Sequence, residues 1–159
     1  MRSYTDEPIA DVDLDRILEA GRRSPSASNR QKWDFVVVTD SEKLTELGTV
    51  WKGAGHVPGS TATIVLVLPE PESERYHAMD QYDLGQATMA MMLAATDLGI
   101  GTAHAAVGEQ DIARQILGLP DDHYAAYLLA LGHPADRPLA VIKKPNRRSF
   151  DDVVHRDRW

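Results

Sequence analysis

The chain has 159 residues with 17 basic and 24 acidic side chains, a net charge of −7, and no cysteine. This length supports one domain over residues 1–159, and the acidic balance argues against nucleic acid or an anionic membrane surface as the main partner. The absence of cysteine excludes a disulfide scaffold, a thiolate metal site and thiol catalysis, so redox chemistry here requires a cofactor.

The N-terminal residues Met1 to Asp6 contain no apolar signal core, and no stretch approaches the ~20 apolar residues that span a bilayer, which predicts a cytoplasmic protein. Val12, Leu14, Ile17, Leu18 and Ala20 predict a helix over 11–23, which Pro25 stops by disfavouring helical geometry at Ser24. Phe35 to Val38 predicts a buried strand over 34–39. Between them lie Pro25, Ser26, Ser28, Asn29 and Gln31, small polar groups on a stiffened connection. They suit either an ordinary turn or the binding of a polar, planar or phosphorylated molecule.

Ser41 followed by Glu42 opens a second helix, expected over 41–51, and Gly53 to Gly59 is a loop. A strand follows at 62–68, a short loop from Pro69 to Glu74, and a long helix over 76–98 whose end Asp97 and Gly99 mark. A strand at 100–106, a helix at 109–117 closed by Leu119-Pro120, and a strand at 124–132 complete the order. Helices alternating with strands predict an α/β or α+β domain with helices covering a mixed sheet.

Met79, Met89, Met91, Met92, Leu93, Leu98 and several alanines cover most of the circumference of the long helix, which predicts burial all round. Such burial comes either from the interior of one chain or, in a domain this small, in part from a second chain. From His133 onward the chain carries Pro134, Pro138 and Pro145, five arginines and two lysines without a long regular element. The tail residues Phe150, Val153, Val154 and Trp159 predict that it docks on something. Arg147 and Arg148, with Lys143 and Lys144 upstream, read equally as a solvated patch or as a phosphate anchor.

Several segments in order resemble a known family. The stretch from Pro25 to Trp33 resembles the Pro-Ser-x-x-Asn-x-Gln-Pro-Trp motif of the FMN-dependent nitroreductase family. Arg2 to Pro8 resembles the end of the family's N-terminal Arg-Arg-Ser-x-Arg-x-Tyr segment. Asp83 to Ala87, running into Ala94 to Thr102, resembles the central helix and the Gly-x-Gly-Thr strand that leaves it. Leu117-Gly118-Leu119-Pro120, Leu129 to Pro134 and Arg147 to Val154 extend the likeness over nearly the whole chain.

The resemblance implies an α+β fold, a mixed and mainly antiparallel central sheet flanked by helices, with an extended C-terminal tail reaching the partner subunit. It implies a homodimer with FMN in the cleft between subunits and NAD(P)H as electron donor. A nitroaromatic, quinone or enone then serves as the small-molecule electron acceptor, in ping-pong order. Carried over by position, Ser26 and Asn29 bond the flavin edge or ribityl chain, while Pro25, Ser28 and Gln31 shape the same loop. Arg2 lies near the pyrimidine side or the ribityl-phosphate. The segment His104-Ala105-Ala106 presents its backbone to the flavin N5, and Arg147 or Arg148 holds the phosphate. No protein nucleophile is implied, and no His or carboxylate set has metal-ligand spacing.

The chain departs from the family pattern in three places. The first Arg-Ser of the N-terminal segment is missing, Lys32 replaces the proline before Trp33, and the region between the second strand and the long helix is shortened, which implies a pocket that is open, specialised, or both. A flavin-binding or planar-ligand-binding relative without turnover, acting as a carrier, sensor or flavin-modifying enzyme, is the alternative reading. A deazaflavin in place of FMN is a variant of the first.

Overall fold

The computed structural model describes residues 1–159. In chain order the elements are α1 (Asp11–Arg22), β1 (Asp34–Val38), α2 (Ser41–Leu47), β2 (Ala62–Pro69), α3 (Glu74–Asp97), β3 (Gly101–Ala106), α4 (Gln110–Leu117) and β4 (His123–Gly132), with one 3-10 turn at Ala27–Asn29. The four strands form one sheet in the order β1-β2-β4-β3, and every neighbouring pair is antiparallel. The fold is therefore α+β. No helix is long and apolar enough to cross a membrane.

Both faces of the sheet are covered, which is why its central strands read as continuous apolar runs. On β2, Ile64, Leu66 and Leu68 point to a core shared with Leu14 and Ile17 of α1 and Leu84 and Met91 of α3. Val65 and Val67 point to the opposite core with Leu44 and Leu47 of α2 and Ala113 of α4. This is the period-two alternation of a strand, with both faces dry. On β4, Leu129 and Leu131 belong to the first core and Leu128 and Ala130 to the second.

A register shift opposite Leu66 and Val67 pairs Tyr127 with Leu66 and Ala125 with Val67, so Ala126 is an extra residue in β4. Such a bulge re-aims side chains. Ala126 joins the core on the α3 side, and Tyr127 opens into a groove on that same side.

Several predicted boundaries move for identifiable reasons. The N-cap of α2 is Asp40, whose carboxylate accepts the Lys43 N–H at 2.9 Å, so Ser41 is the first helical residue. The same helix ends at Leu47, short of residue 51. At Gly48 an added Cβ would stand 2.6 Å from the Pro58 ring, and the chain turns there to bury Val50 completely. Gly99 (φ +76) and Gly118 (φ +65) end α3 and α4 in left-handed geometry, as their residue type requires.

The expectation that α3 is buried all round, in part against a second chain, is met on one side within this chain. Leu84, Ala87, Met91 and Ala95 form its buried face, whereas Tyr82, Met89 and Leu93 are 72%, 55% and 60% exposed. Within one chain only the inward side finds cover. The tail likewise does not dock on its own chain. Val141, Phe150 and Trp159 are exposed, and beyond two bonds at its root, from Thr5 N–H to the His133 carbonyl and from Ala135 N–H to the Ser3 carbonyl, the tail's backbone bonds are internal.

Candidate functional site

The N-terminal residues are laid along the end of β3 and β4. The Met1 amino group donates to the Thr102 carbonyl at 3.0 Å, the Thr5 N–H donates to the His133 carbonyl, and the Tyr4 hydroxyl reaches the Met1 and Ala130 carbonyls. Burial pushes the Tyr4 phenol well above its ordinary value and lowers the Met1 amino group. Gly132 permits this contact, since a Cβ there would meet Tyr4 at 2.7 Å.

Met1 binds Thr102 on the open side of β3, which is an edge strand paired only with β4. Antiparallel alternation directs the backbone groups of Thr102, His104 and Ala106 to that open edge and those of Ala103 and Ala105 into the ladder. His104 and Ala106 therefore offer unpaired N–H groups. Ala105 does not, because its backbone is committed to β4 and its side chain lies in the core of the α2 and α4 side. Of the segment 104–106, then, His104 and Ala106 are the residues whose N–H groups face the open edge.

Arg2 is exposed beside this edge. Burial is the main cause lowering the His56 imidazole, and the positive charges of Arg2 and of the chain amino group add to it; the His56 ring sits 3.4 Å from the Ala103 carbonyl. His56 is thereby a structural group, turned away from the groove.

That groove, about 520 Å³, runs between α3 and the sheet. His104 and Tyr127 form its floor, and Gln81, Gly85, Thr88 and Met92 its α3 wall. At Gly85 an added Cβ would meet nothing within 4 Å, so the missing side chain widens the wall. The connection from β2 to α3 spans only Glu70 to Ser73, and the groove is open to solvent.

The polar loop lies elsewhere. Ser28, Asn29 and Gln31 all adopt left-handed backbone geometry, with φ of 52, 55 and 49°. The Ser26 hydroxyl accepts the Gln31 N–H at 3.0 Å, and the Gln31 side-chain amide donates to the Asn29 carbonyl at 3.2 Å. Pro25, Ser28 and Asn29 face solvent. The loop is bound to α3 through Asp83 and Asp80, and none of residues 25–31 lines the groove formed by α3 and β3. Within one chain, then, the loop and the β3 edge sit against different sides of the same helix.

Arg147 and Arg148 join neither place. Their guanidinium groups bond only to the Asn146 and Asp152 carbonyls inside the tail. No cluster of three or more His or carboxylate groups that could hold a metal is present.

Four features of the site escaped the sequence reading. Tyr127 reaches the groove only because of the β4 bulge, and Gly85 matters only through the space it leaves. Arg30 and the acidic pair Asp80 and Asp83 clasp the loop; the signal for the pair was two carboxylates three residues apart, on the side of α3 that also carries Leu84 and Ala87.

The chain matches the family model described as "Nitroreductase family" over residues 1–56 and 54–133. It is 32% identical over 164 residues to a protein of Archaeoglobus fulgidus that bears the provisional name NADH dehydrogenase/NAD(P)H nitroreductase, covering 100% of this chain and 92% of that one. It is 34% identical over 178 residues to a protein of Bacillus subtilis named FMN reductase (NAD(P)H), covering 100% of this chain and 70% of the other. Among solved structures, the NADPH:FMN oxidoreductase of Vibrio harveyi complexed with NAD+ superposes with a TM-score of 0.87 at 26% identity, over 100% of this chain and 73% of that one. Two family-model segments that together span residues 1–133, with the 32% identity to the Archaeoglobus fulgidus protein, place this chain in the nitroreductase family.

Proposed function

We propose that two copies of this chain hold FMN between them and relay hydride from NAD(P)H to a small electron-poor acceptor. The acceptor class is a nitroaromatic, a quinone or an enone, and donor and acceptor use the groove in turn. Membership of the family carries the coarser statement, an NAD(P)H-dependent flavin oxidoreductase. The finer statement rests chiefly on one observation: the left-handed loop and the open β3 edge, which the family motifs assign to one ligand, lie against different sides of α3.

The residues suit such a group. A flat tricyclic ring needs a slot with apolar walls, a few fixed donors and no bulky side chain. The groove offers Met89 and Met92 as polarizable walls, the unpaired His104 and Ala106 N–H groups, and the space beside Gly85. When bound, FMN supplies the two-electron chemistry that a chain without cysteine cannot. The protein's part is binding, orientation and charge.

Arg2 adds positive charge beside the β3 edge, which favours electron-rich forms of a ligand held there. Ser26, Ser28 and Asn29 of the other copy complete the polar side, with Pro25 and Gln31 fixing the loop. Arg147 or Arg148 anchors the phosphate. His104 alone among the six histidines lines the groove, where its imidazole can hold a proton near a bound acceptor. With so short a β2-to-α3 connection the groove admits acceptors of varied size. A cytoplasmic location accords with the dependence on NAD(P)H.

A mixing experiment tests the shared site. Asn29→Ala impairs the loop and Arg2→Ala the β3 edge, so each variant alone should hold FMN weakly. Randomly paired chains give half heterodimers, each with one intact site of two, so the mixture should recover about a quarter of the wild-type tight sites by flavin fluorescence titration. No recovery on mixing would place both residues in the site of a single chain.

A further inference from the structure

We propose that Asp83 and the Arg30–Asp80 pair are positioning residues that hold residues 26–31 in their left-handed conformation, so that Ser28 and Asn29 stand ready toward a ligand they do not themselves touch. The proposal deepens the function above and rests on its reading that this loop meets FMN.

Left-handed geometry is unfavourable for residues with a Cβ, and least favourable for those without a locally bonding side chain. Ser28, Asn29 and Gln31 all adopt it. Something must over-determine the loop for three such residues to persist in a run of four. The bonds inside the loop, from Asn29 N–H to the Ser26 carbonyl at 2.9 Å and from Gln31 N–H to Ser26 Oγ at 3.0 Å, fix its local shape. They do not fix where it sits.

That is done from α3, about fifty residues away in sequence. The Asp83 carboxylate accepts the Ala27 N–H at 2.9 Å. Arg30 folds back under the loop with its guanidinium 4.1 Å above the Tyr76 ring and 3.5 Å from the Asp80 carboxylate. Arg30 itself is right-handed (φ −66°) between left-handed neighbours, and this alternation aims its side chain inward while Ser28 and Asn29 point out.

Asp80 and Asp83 are only 6% and 5% exposed. Buried ion pairs are poor devices for stability, since apolar residues of similar volume often serve better. This pair is not fully satisfied either, because Asp80 Oδ1 and Arg30 Nε lack hydrogen-bond partners. What the charges do provide is direction, because an N–H acceptor and a flat cation fix orientation where apolar contact would let the loop slide. Although Arg30 neighbours Asn29 and carries the charge a phosphate would attract, it is committed to Asp80 and Tyr76.

The test compares wild type, Asp83→Ala and Asp83→Asn by two readouts. One is backbone amide exchange over residues 27–31 in the flavin-free protein, and the other is FMN affinity by fluorescence titration. Asn keeps an oxygen that accepts the Ala27 N–H, whereas Ala does not. Asp83→Ala should speed exchange across the loop about tenfold or more while amides within α1 keep wild-type rates, and should weaken FMN binding about tenfold. Asp83→Asn should stay within about threefold of wild type in both.

Should Asp83→Ala fail to fold, Arg30→Met carries the same expectation, since it keeps chain length and removes the charge. Wild-type exchange over 27–31 in the tested variant, or faster exchange with unchanged FMN affinity, overturns the proposal. A wild-type protein that binds no FMN overturns the functional reading instead, and the exchange measurement still decides whether these residues position the loop.

Discussion

Replacing Met89 and Leu93 together by glutamate is expected to leave the protein monomeric and to cost it its flavin. Both side chains are more than half exposed, beside Tyr82 at 72%; Leu93 lies on the outward face of α3 and Met89 where that face meets the lip of the groove. A helix in a soluble domain ordinarily turns charge, not methionine, leucine and tyrosine, to water, and a contiguous apolar face of this kind marks an interface. Two carboxylates there would have to be desolvated without partners when the copies meet, which costs several kcal/mol per charge.

If the groove and the 26–31 loop of opposite copies form one site, losing the partner removes half of the ligand's contacts. Sedimentation should show the single-chain mass, and FMN affinity should fall about a hundredfold or more, roughly 2.7 kcal/mol. The fold itself should survive, because neither residue contributes to either buried core. A variant that stays dimeric and keeps its flavin would place the interface elsewhere.

The second large effect concerns the tail. Arg147→Ala with Arg148→Ala should weaken FMN retention by an order of magnitude or more, as the loss of charge-assisted bonds to a phosphate implies. In this chain of net charge −7, the tail is among the places where cations gather without acidic neighbours in salt-bridge range. Neither guanidinium is engaged with the body of its own chain. Binding of riboflavin, which lacks the phosphate, should change little in the same variant. Comparing the two ligands by fluorescence titration separates a phosphate anchor from a general loss of structure, and each arginine replaced singly assigns the anchor. Equal weakening for both ligands would contradict the anchor.

Much of the fold could be read in the residues because local rules decided it. Pro25 ends α1 near where its ring forbids further turns, Gly99 and Gly118 supply the left-handed caps, and the run 64–68 is apolar at every position because both sheet faces are covered. Where the reading missed, distant residues decided. The early end of α2 depends on Pro58 meeting Gly48, and Asp40 displaced Ser41 as the cap because both residue types can serve. The inserted Ala126 in β4 has no local signal, since Ala-Ala fits a regular strand as well as a bulge.

The site was legible in the same uneven way. Pro25 to Gln31 stood out as a dense polar loop, and the family motifs located the β3 edge. Which backbone groups of that edge are free depends on strand parity, which only the register with β4 supplies, and it removes Ala105 while keeping His104 and Ala106. The clasp of Asp80, Asp83 and Arg30 joins residues some fifty positions apart in the chain, and nothing local to Arg30 distinguishes it from a surface arginine. Counting apolar residues around α3 predicts burial on every side, in part by a second chain; a single chain covers one side and leaves Tyr82, Met89 and Leu93 on the other exposed.

The most direct measurement is the visible absorption spectrum of the purified protein, supplied with FMN and recorded before and after NADPH under anaerobic conditions. Paired flavin bands should stay with the protein after free FMN is removed, bleach on adding NADPH and return when a quinone or nitroaromatic is added. A protein that stays colourless after incubation with FMN would contradict it.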